Sequence, residues 1–285
     1  MDAERGLFSI AQLRASTPTL GYAYRGLVPG HGRSLRYTPA WFSCWYVDVG
    51  RAEVRFEDGR VARAEPGEWL LTPPMSPRYQ IFPSGAEILS LAFHMPLPPG
   101  VDVDAVLPMR VATNHAADLV APAMAVVAAL GGAHSPAYLS DTVHVDLGRW
   151  LRIQQHVGAF AVAWHDRVFA NDLGVSVLDP RLRDACTLLA AQARMGAVPY
   201  PNLQARTGLG RVHLDRLFKQ ALGRSPKQEL DRLCLQRVLR RLDERARPVK
   251  AIAAELGFTD SSHLCRWFAK RTGMSPERYR RTGLV

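Results

Sequence analysis

The 285-residue chain carries 36 Lys and Arg against 26 Asp and Glu, a formal net charge of +10. Its length suits two domains of roughly 100–200 residues each, and a hydrophobic content of 47% excludes a wholly disordered chain. The excess charge is uneven: residues 1–170 hold 14 basic and 15 acidic residues, whereas residues 171–285 hold 22 and 11, so the second part alone is +11. A neutral part joined to a basic one suggests two tasks, one of them on a polyanion such as nucleic acid.

The longest apolar run, residues 119–133, contains Pro122 and two glycines and falls short of the roughly 18–20 residues that cross a bilayer. The opening Met1-Asp2-Ala3-Glu4-Arg5 lacks the layout of a secretion signal. Together these point to the cytoplasm and away from membranes. Cys44, Cys186, Cys234 and Cys265 are scattered without a CxxC pair, so reduced thiols are expected rather than disulfides or a zinc site.

Twelve of the 20 prolines fall in the first 112 residues, which argues against long helices there. Val54 and Phe56, then Val61, alternate at period two around Asp58-Gly59, a strong hairpin signal because glycine accepts positive φ. Strands are expected at 41–49, 52–57, 60–65, 68–71 and 87–93. About six short strands with regular turns suggest a small sandwich or barrel. Such a fold can enclose one small ligand, with Trp41, Trp45, Tyr46, Trp69 and Tyr79 as lining and Arg36, Arg78 or His94 as polar handles. The same aromatics serve equally as plain core, and both readings stand. His31 and His94 are isolated, with no HxH or HxxxE grouping, so neither a metal nor another cofactor is expected.

From His115 the texture turns helical. Residues 116–130 are alanine-rich, and 138–164 space apolar residues helically through Val143, Leu147, Trp150, Leu151 and Val157. Helices here either cap the β region or pair with a second subunit.

The basic part contains a repeat. His213, Leu214, Arg216, Phe218, Gly223, Ser225 and Pro226 recur fifty residues later as His263, Leu264, Arg266, Phe268, Gly273, Ser275 and Pro276. Upstream the offset is 49, pairing Leu203 with Ile252 and Gly208 with Gly257. Each copy reads as a helix-turn-helix: a short helix (203–207, 251–256) stopped by glycine, then a second helix with one apolar face. The opposite face carries Arg211, Val212, Asp215, Arg216 and Lys219 in the first copy, and Ser261, Ser262, Cys265 and Arg266 in the second. These are the candidate DNA contacts, since arginine grips guanine or phosphate and serine takes either base partner. A solvated face is the alternative, and Asp215 either accepts from cytosine or pairs with Arg211 or Lys219 four residues away. Ser225-Pro226-Lys227-Gln228 forms a capping box that starts a connecting helix of about 18 residues, about 27 Å long. Two recognition helices in successive major grooves would lie ~34 Å apart.

Residues 251–264, with Arg266, Phe268, Gly273, Met274, Ser275, Pro276, Glu277, Arg278, Tyr279 and Arg280, resemble the DNA-binding domain of the AraC/XylS family of transcription regulators. With the first copy the resemblance covers about 180–281. The first part is similar, through Pro66-Gly67-Glu68 and Pro73-Pro74, to the cupin-type sensor barrel of such regulators. The resemblance implies an α+β chain: a cupin-like β-barrel sensor (1–112), a helical connector with a dimerisation role (113–175), and an all-α domain with two helix-turn-helix motifs (176–285). It implies a sequence-specific regulator or activator that is not an enzyme. Its partners would be double-stranded promoter DNA, a small-molecule effector, RNA polymerase and a second copy. The effector residues would be Arg36, Trp41, Trp45, Trp69, Tyr79 and His94. Two alternatives are a ligand-independent regulator whose barrel serves dimerisation or partner contact, and a cupin-type enzyme fused to a DNA-binding part. Gln204 replaces the family's small residue, Gly210 its capping serine, and Cys234 and Val238 an Arg and Ala, which suggests weaker contact or relaxed specificity in the first copy.

Overall fold

Tyr22 and Tyr24, Trp45 and Val47, and Val54 and Phe56 alternate with residues of the opposite face, and this period of two lays antiparallel sheets face to face. The structure, a computed structural model, describes residues 17–28, 35–95, 97, 103, 106–132, 144–169, 178–244 and 246–282. Its strands are β1 (Thr19–Leu27), β2 (Leu35–Tyr37), β3 (Phe42–Val49), β4 (Ala52–Phe56), β5 (Val61–Ala64), β6 (Trp69–Thr72), β7 (Arg78–Ile81), β8 (Glu87–His94) and β9 (Met109–Val111). They form one sheet in the order β1-β8-β3-β6-β9 and another in the order β2-β7-β4-β5. Among the described residues each sheet keeps two edge strands, so the region is an open sandwich and not a closed barrel.

The expected hairpin is present: Phe56 N–H donates to the Arg60 carbonyl at 2.9 Å and Gly59 takes φ +89°. Tyr22, Tyr24, Trp45, Val47, Leu70 and Ile88 from the larger sheet meet Val54, Phe56 and Ala64 from the smaller. On the larger sheet's other face lie α1 (Thr113–Ala129) and α2 (Leu147–Val168). There Phe42 and Phe93 pack on Trp164 with ring centroids 4.7 and 5.4 Å apart. Burial of Leu119, Ala123 and Val126 sustains α1 through Pro122, as tertiary packing outweighs local propensity. The second expected helix starts at Leu147, where Asp146 accepts from Arg149 N–H; residues 138–143 lie outside the described residues.

The basic part is helical: α3 (Pro180–Ala191), α4 (Tyr200–Thr207), α5 (Arg211–Leu222), α6 (Pro226–Asp243), α7 (Val249–Glu255), α8 (Ser261–Thr272) and α9 (Pro276–Thr282). Internal contacts separate α3–α8 from the sandwich with α1 and α2. Leu182 and Leu189 of α3, Leu203 of α4, Leu214 and Phe218 of α5 and Leu230 of α6 share one buried cluster. In the second copy Ile252, Leu264, Trp267 and Phe268 are buried, and Phe258 meets Trp267 edge-on at 5.2 Å. Gly257 has φ +77°, and an added Cβ there would stand 3.1 Å from the Met195 carbonyl oxygen. Both the turn and the close approach need glycine. Burial pushes the thiols of Cys44, Cys186 and Cys234 up, that of Cys234 to about 11. They are inert packing groups.

Candidate nucleic-acid interface

Two helix pairs repeat one construction. In each, a short helix ends in a glycine turn, with Gly208 at φ +68° and Gly257 at φ +77°, and a twelve-residue helix follows. The second helix buries Leu214 and Phe218 in the first pair and Leu264 and Phe268 in the second. The 3.6-residue period therefore turns Val212 and Arg216, and likewise Ser262 and Arg266, outward.

The two helix starts differ. Asp260 accepts from His263 N–H at 2.6 Å and so caps α8; that bond, with Arg266 nearby, holds its carboxyl below the usual range. Gly210 gives α5 no side-chain cap, which leaves the helix start less fixed. The capping box of α6 is formed, with Gln228 N–H donating to Ser225 Oγ at 3.2 Å and Ser225 N–H to Gln228 Oε1 at 2.7 Å.

Nine residues stood as DNA contacts on sequence grounds, and all lie on α5 or α8. Arg211, Val212, Arg216, Lys219, Ser262 and Arg266 are exposed, while Asp215, Ser261 and Cys265 are partly buried. Val212, 82% exposed, is the most exposed large hydrophobic residue among those described. Lys219 Nζ donates to the Gly223 carbonyl at 2.9 Å, so it tends the end of its own helix. Asp215 accepts from the Tyr200 hydroxyl at 2.6 Å and has Arg211 at 4.0 Å. Much of the remaining positive charge is spent within the fold. Arg224 and Arg232 clamp the buried Glu229, Lys227 and Arg271 share Asp231, and Arg241 and Arg247 share Glu244 and Glu255. The outward faces of α5 and α8 thus present Arg216 and Arg266 at matched places.

Sequence reasoning missed two contributors. Tyr200 lies between two prolines where the other copy has Val249, the one signal that marked it. Asp231 links α6 to α8, which no local pattern reveals.

Of the six effector residues, Trp41 and Trp45 share the inter-sheet core and His94 meets Trp41, whereas Trp69 and Tyr79 lie elsewhere. Trp41 packs against the inter-sheet core and meets His94 edge-on at 6.2 Å, with Gly21 beneath it, where a Cβ would come within 2.9 Å of its ring. Trp45 is fully buried in that core, 5.8 Å from the Arg78 guanidinium. Trp69 faces the other way: its indole donates to the Ala116 carbonyl at 3.2 Å and packs on Phe160. Strand alternation buries its neighbour Leu70 in the inter-sheet core instead. Tyr79 is exposed because Arg78 and Gln80, on either side, are the buried residues of β7. Arg36 belongs to β2, and its side chain lies outside the described residues.

Comparison with known proteins agrees with this geometry. Residues 203–282 match the helix-turn-helix domain family of AraC type. A helix-turn-helix-type transcriptional regulator of Mycobacterium tuberculosis is 33% identical over 86 residues, 30% of this chain and 33% of that protein. The regulator YobQ of Bacillus subtilis is 40% identical over 65 residues, 23% of this chain and 27% of its own. The chain therefore matches only about a third or less of these relatives' length. Among solved structures, apo ToxT of Vibrio cholerae superposes with a TM-score of 0.56 over 94% of this chain and 98% of its own, at 9% identity. ToxT bound to an unsaturated fatty acid gives 0.53 over 94% and 97%, at 11% identity. At such identity the likeness is one of fold: sheets first, helical domain second.

Proposed function

We propose that this chain, a member of the AraC/XylS family of transcription regulators through residues 203–282, binds promoter DNA sequence-specifically. Both helix pairs act as helix-turn-helix units, with α5 and α8 in successive major grooves and α6 as the spacer. The observation that carries this reading is the exposed Arg216 and Arg266, matched on two helices whose opposite faces are buried. A bidentate arginine–guanine contact is the commonest specific contact in the major groove. Titration of the full chain into duplexes drawn from a random pool tests it. Selective binding that persists as salt rises supports the proposal, and affinity that ignores sequence counts against it.

We assign residues 1–112 to a cupin-like sensor, 113–175 to the connector and 176–285 to the DNA-binding part. The effector is taken to be a small organic acid, in line with the fatty acid named for ToxT. In this chain the candidate partner for such an acid is Arg78, buried beside Trp45, whose guanidinium donates to the Pro73 carbonyl at 2.7 Å and to Ser43 Oγ at 3.0 Å. Fatty acids that raise the melting temperature would support binding to the folded state. A ligand-independent reading is favoured by one observation: Tyr22, Tyr24 and Trp45 already pack as core between the sheets. No response to any organic acid decides for it. Leu147, Leu151 and Val162 form an exposed apolar stripe on α2, which we take as the contact with a second copy.

A further inference from the structure

The first helix pair carries a side-chain constellation that the second lacks. Tyr200, opening α4, donates its hydroxyl to Asp215 Oδ1 on α5 at 2.6 Å. Arg211, one turn earlier on α5, sets its guanidinium 4.5 Å from the Tyr200 ring centre and 4.0 Å from Asp215 Oδ2. The corresponding residues of the second pair are Val249, Ser261 and Cys265. None of these carries a carboxylate.

A carboxylate beside a polyanion is repelled, so its presence on a recognition helix calls for a specific return. Tyr200 holds one carboxylate oxygen and fixes the side chain's direction. Burial and the bond to Asp215 push the phenol's ionisation up, so it stays a donor. The second oxygen, on a side chain 42% exposed, keeps accepting capacity. In the major groove, guanine offers acceptors only, thymine an acceptor and a methyl, and adenine an acceptor beside its amino group. Cytosine alone presents a donor with no acceptor.

We propose that Asp215, oriented by Tyr200, selects a cytosine in the half-site read by the first recognition helix. Tyr200 is its positioning residue, and Arg211 offsets the charge at the flank. The second helix reads its half-site without this demand. The two half-sites therefore differ, which fixes the direction in which the chain lies on DNA. This inference rests on the DNA-binding reading of α5.

The test uses the full chain and a duplex selected from a random pool, with each base pair of the bound site then varied in turn. For the unmodified protein one C·G position should cost about tenfold when replaced. Asp215→Asn keeps an acceptor for Tyr200 but adds an amide donor, so the preference at that position should flatten or turn to A·T while other positions hold. Tyr200→Phe should weaken the preference at the same position only. If Asp215→Asn leaves that preference intact and merely tightens binding to all sequences alike, the proposal is overturned: Asp215 then serves contacts within the protein. If the unmodified chain is indifferent to every position, the DNA-reading proposal itself fails.

Discussion

Asp231 on the connecting helix α6 accepts a 3.0 Å hydrogen bond from the Arg271 guanidinium of α8, so the two helices are tied to each other directly. The same guanidinium lies 4.1 Å from the centre of the Trp267 ring, and Lys227 reaches the other Asp231 oxygen at 2.9 Å. Both ends of the pair are partly exposed, which limits its contribution to about 1 kcal/mol. Asp231→Asn should therefore lower the melting temperature by only a few degrees. It should weaken specific DNA binding more than that loss accounts for, because α8 is no longer held in register. Melting curves and anisotropy titrations on the same samples separate the two effects.

Glu229 gives the helical part an acid-sensitive joint. Burial works to raise its pKa, but Arg232 and Arg224 outweigh burial and hold the carboxyl below the usual range. A depressed carboxylate contributes stability that is fully present above its unfolded pKa of about 4.3 and is lost as pH falls through the lower folded value. Glu229→Gln should cost about 1–3 kcal/mol at pH 7. The difference from the unmodified protein should shrink below about pH 4. Urea titrations at pH 7 and pH 3 check both statements.

Trp164 fastens α2 to the sandwich through Phe42 and Phe93. Trp164→Ala should cost about 3–5 kcal/mol in the first part. Because the two parts have separate cores, specific DNA affinity should change far less. Circular dichroism melts with parallel binding curves measure this.

Val212 stands exposed on a helix face otherwise rich in charge. The apolar group it can meet in a major groove is the thymine methyl. Replacing thymine by deoxyuridine at each site position should weaken binding several-fold at one of them. Val212→Ala should lose most of that sensitivity. Equal binding of thymine and deoxyuridine at every position rules the contact out.

The apolar stripe of α2 bears on assembly. Leu151→Glu and Val162→Glu alter exposed positions, so folding should persist while the proposed dimer gives way to monomer in sedimentation. A monomeric unmodified chain at micromolar concentration contradicts the dimer.

The helical part was the more legible. The one-sided apolar spacing of the helices, the glycine stops and the Ser225 capping box each act within a few residues, and each appears where the pattern put it. The repeat located both outward helix faces because identical local physics recurs at one offset. In the first part the five expected strands formed, while β1, β2, β7 and β9 did not stand out. Strands β2 and β9 are three residues long, too short to display a period, and their pairing depends on distant partners. Which side of a sheet is interior is also a long-range matter: helices on the far face made Trp69 a packing residue, and exposure of the smaller sheet left Tyr79 outside. Tyr200 and Asp231 act on helices 15 and 40 residues away, beyond the reach of periodicity.

The central claim, that α5 and α8 read two major grooves, is tested most directly by methylation interference with the full chain on its selected duplex. The expected result is two clusters of sensitive guanines, centred about 10 base pairs apart on one face of the DNA. Arg216→Ala should erase one cluster and Arg266→Ala the other, each at a cost of about 1–3 kcal/mol. A single cluster, or loss of both clusters from either substitution with the fold intact, contradicts the account.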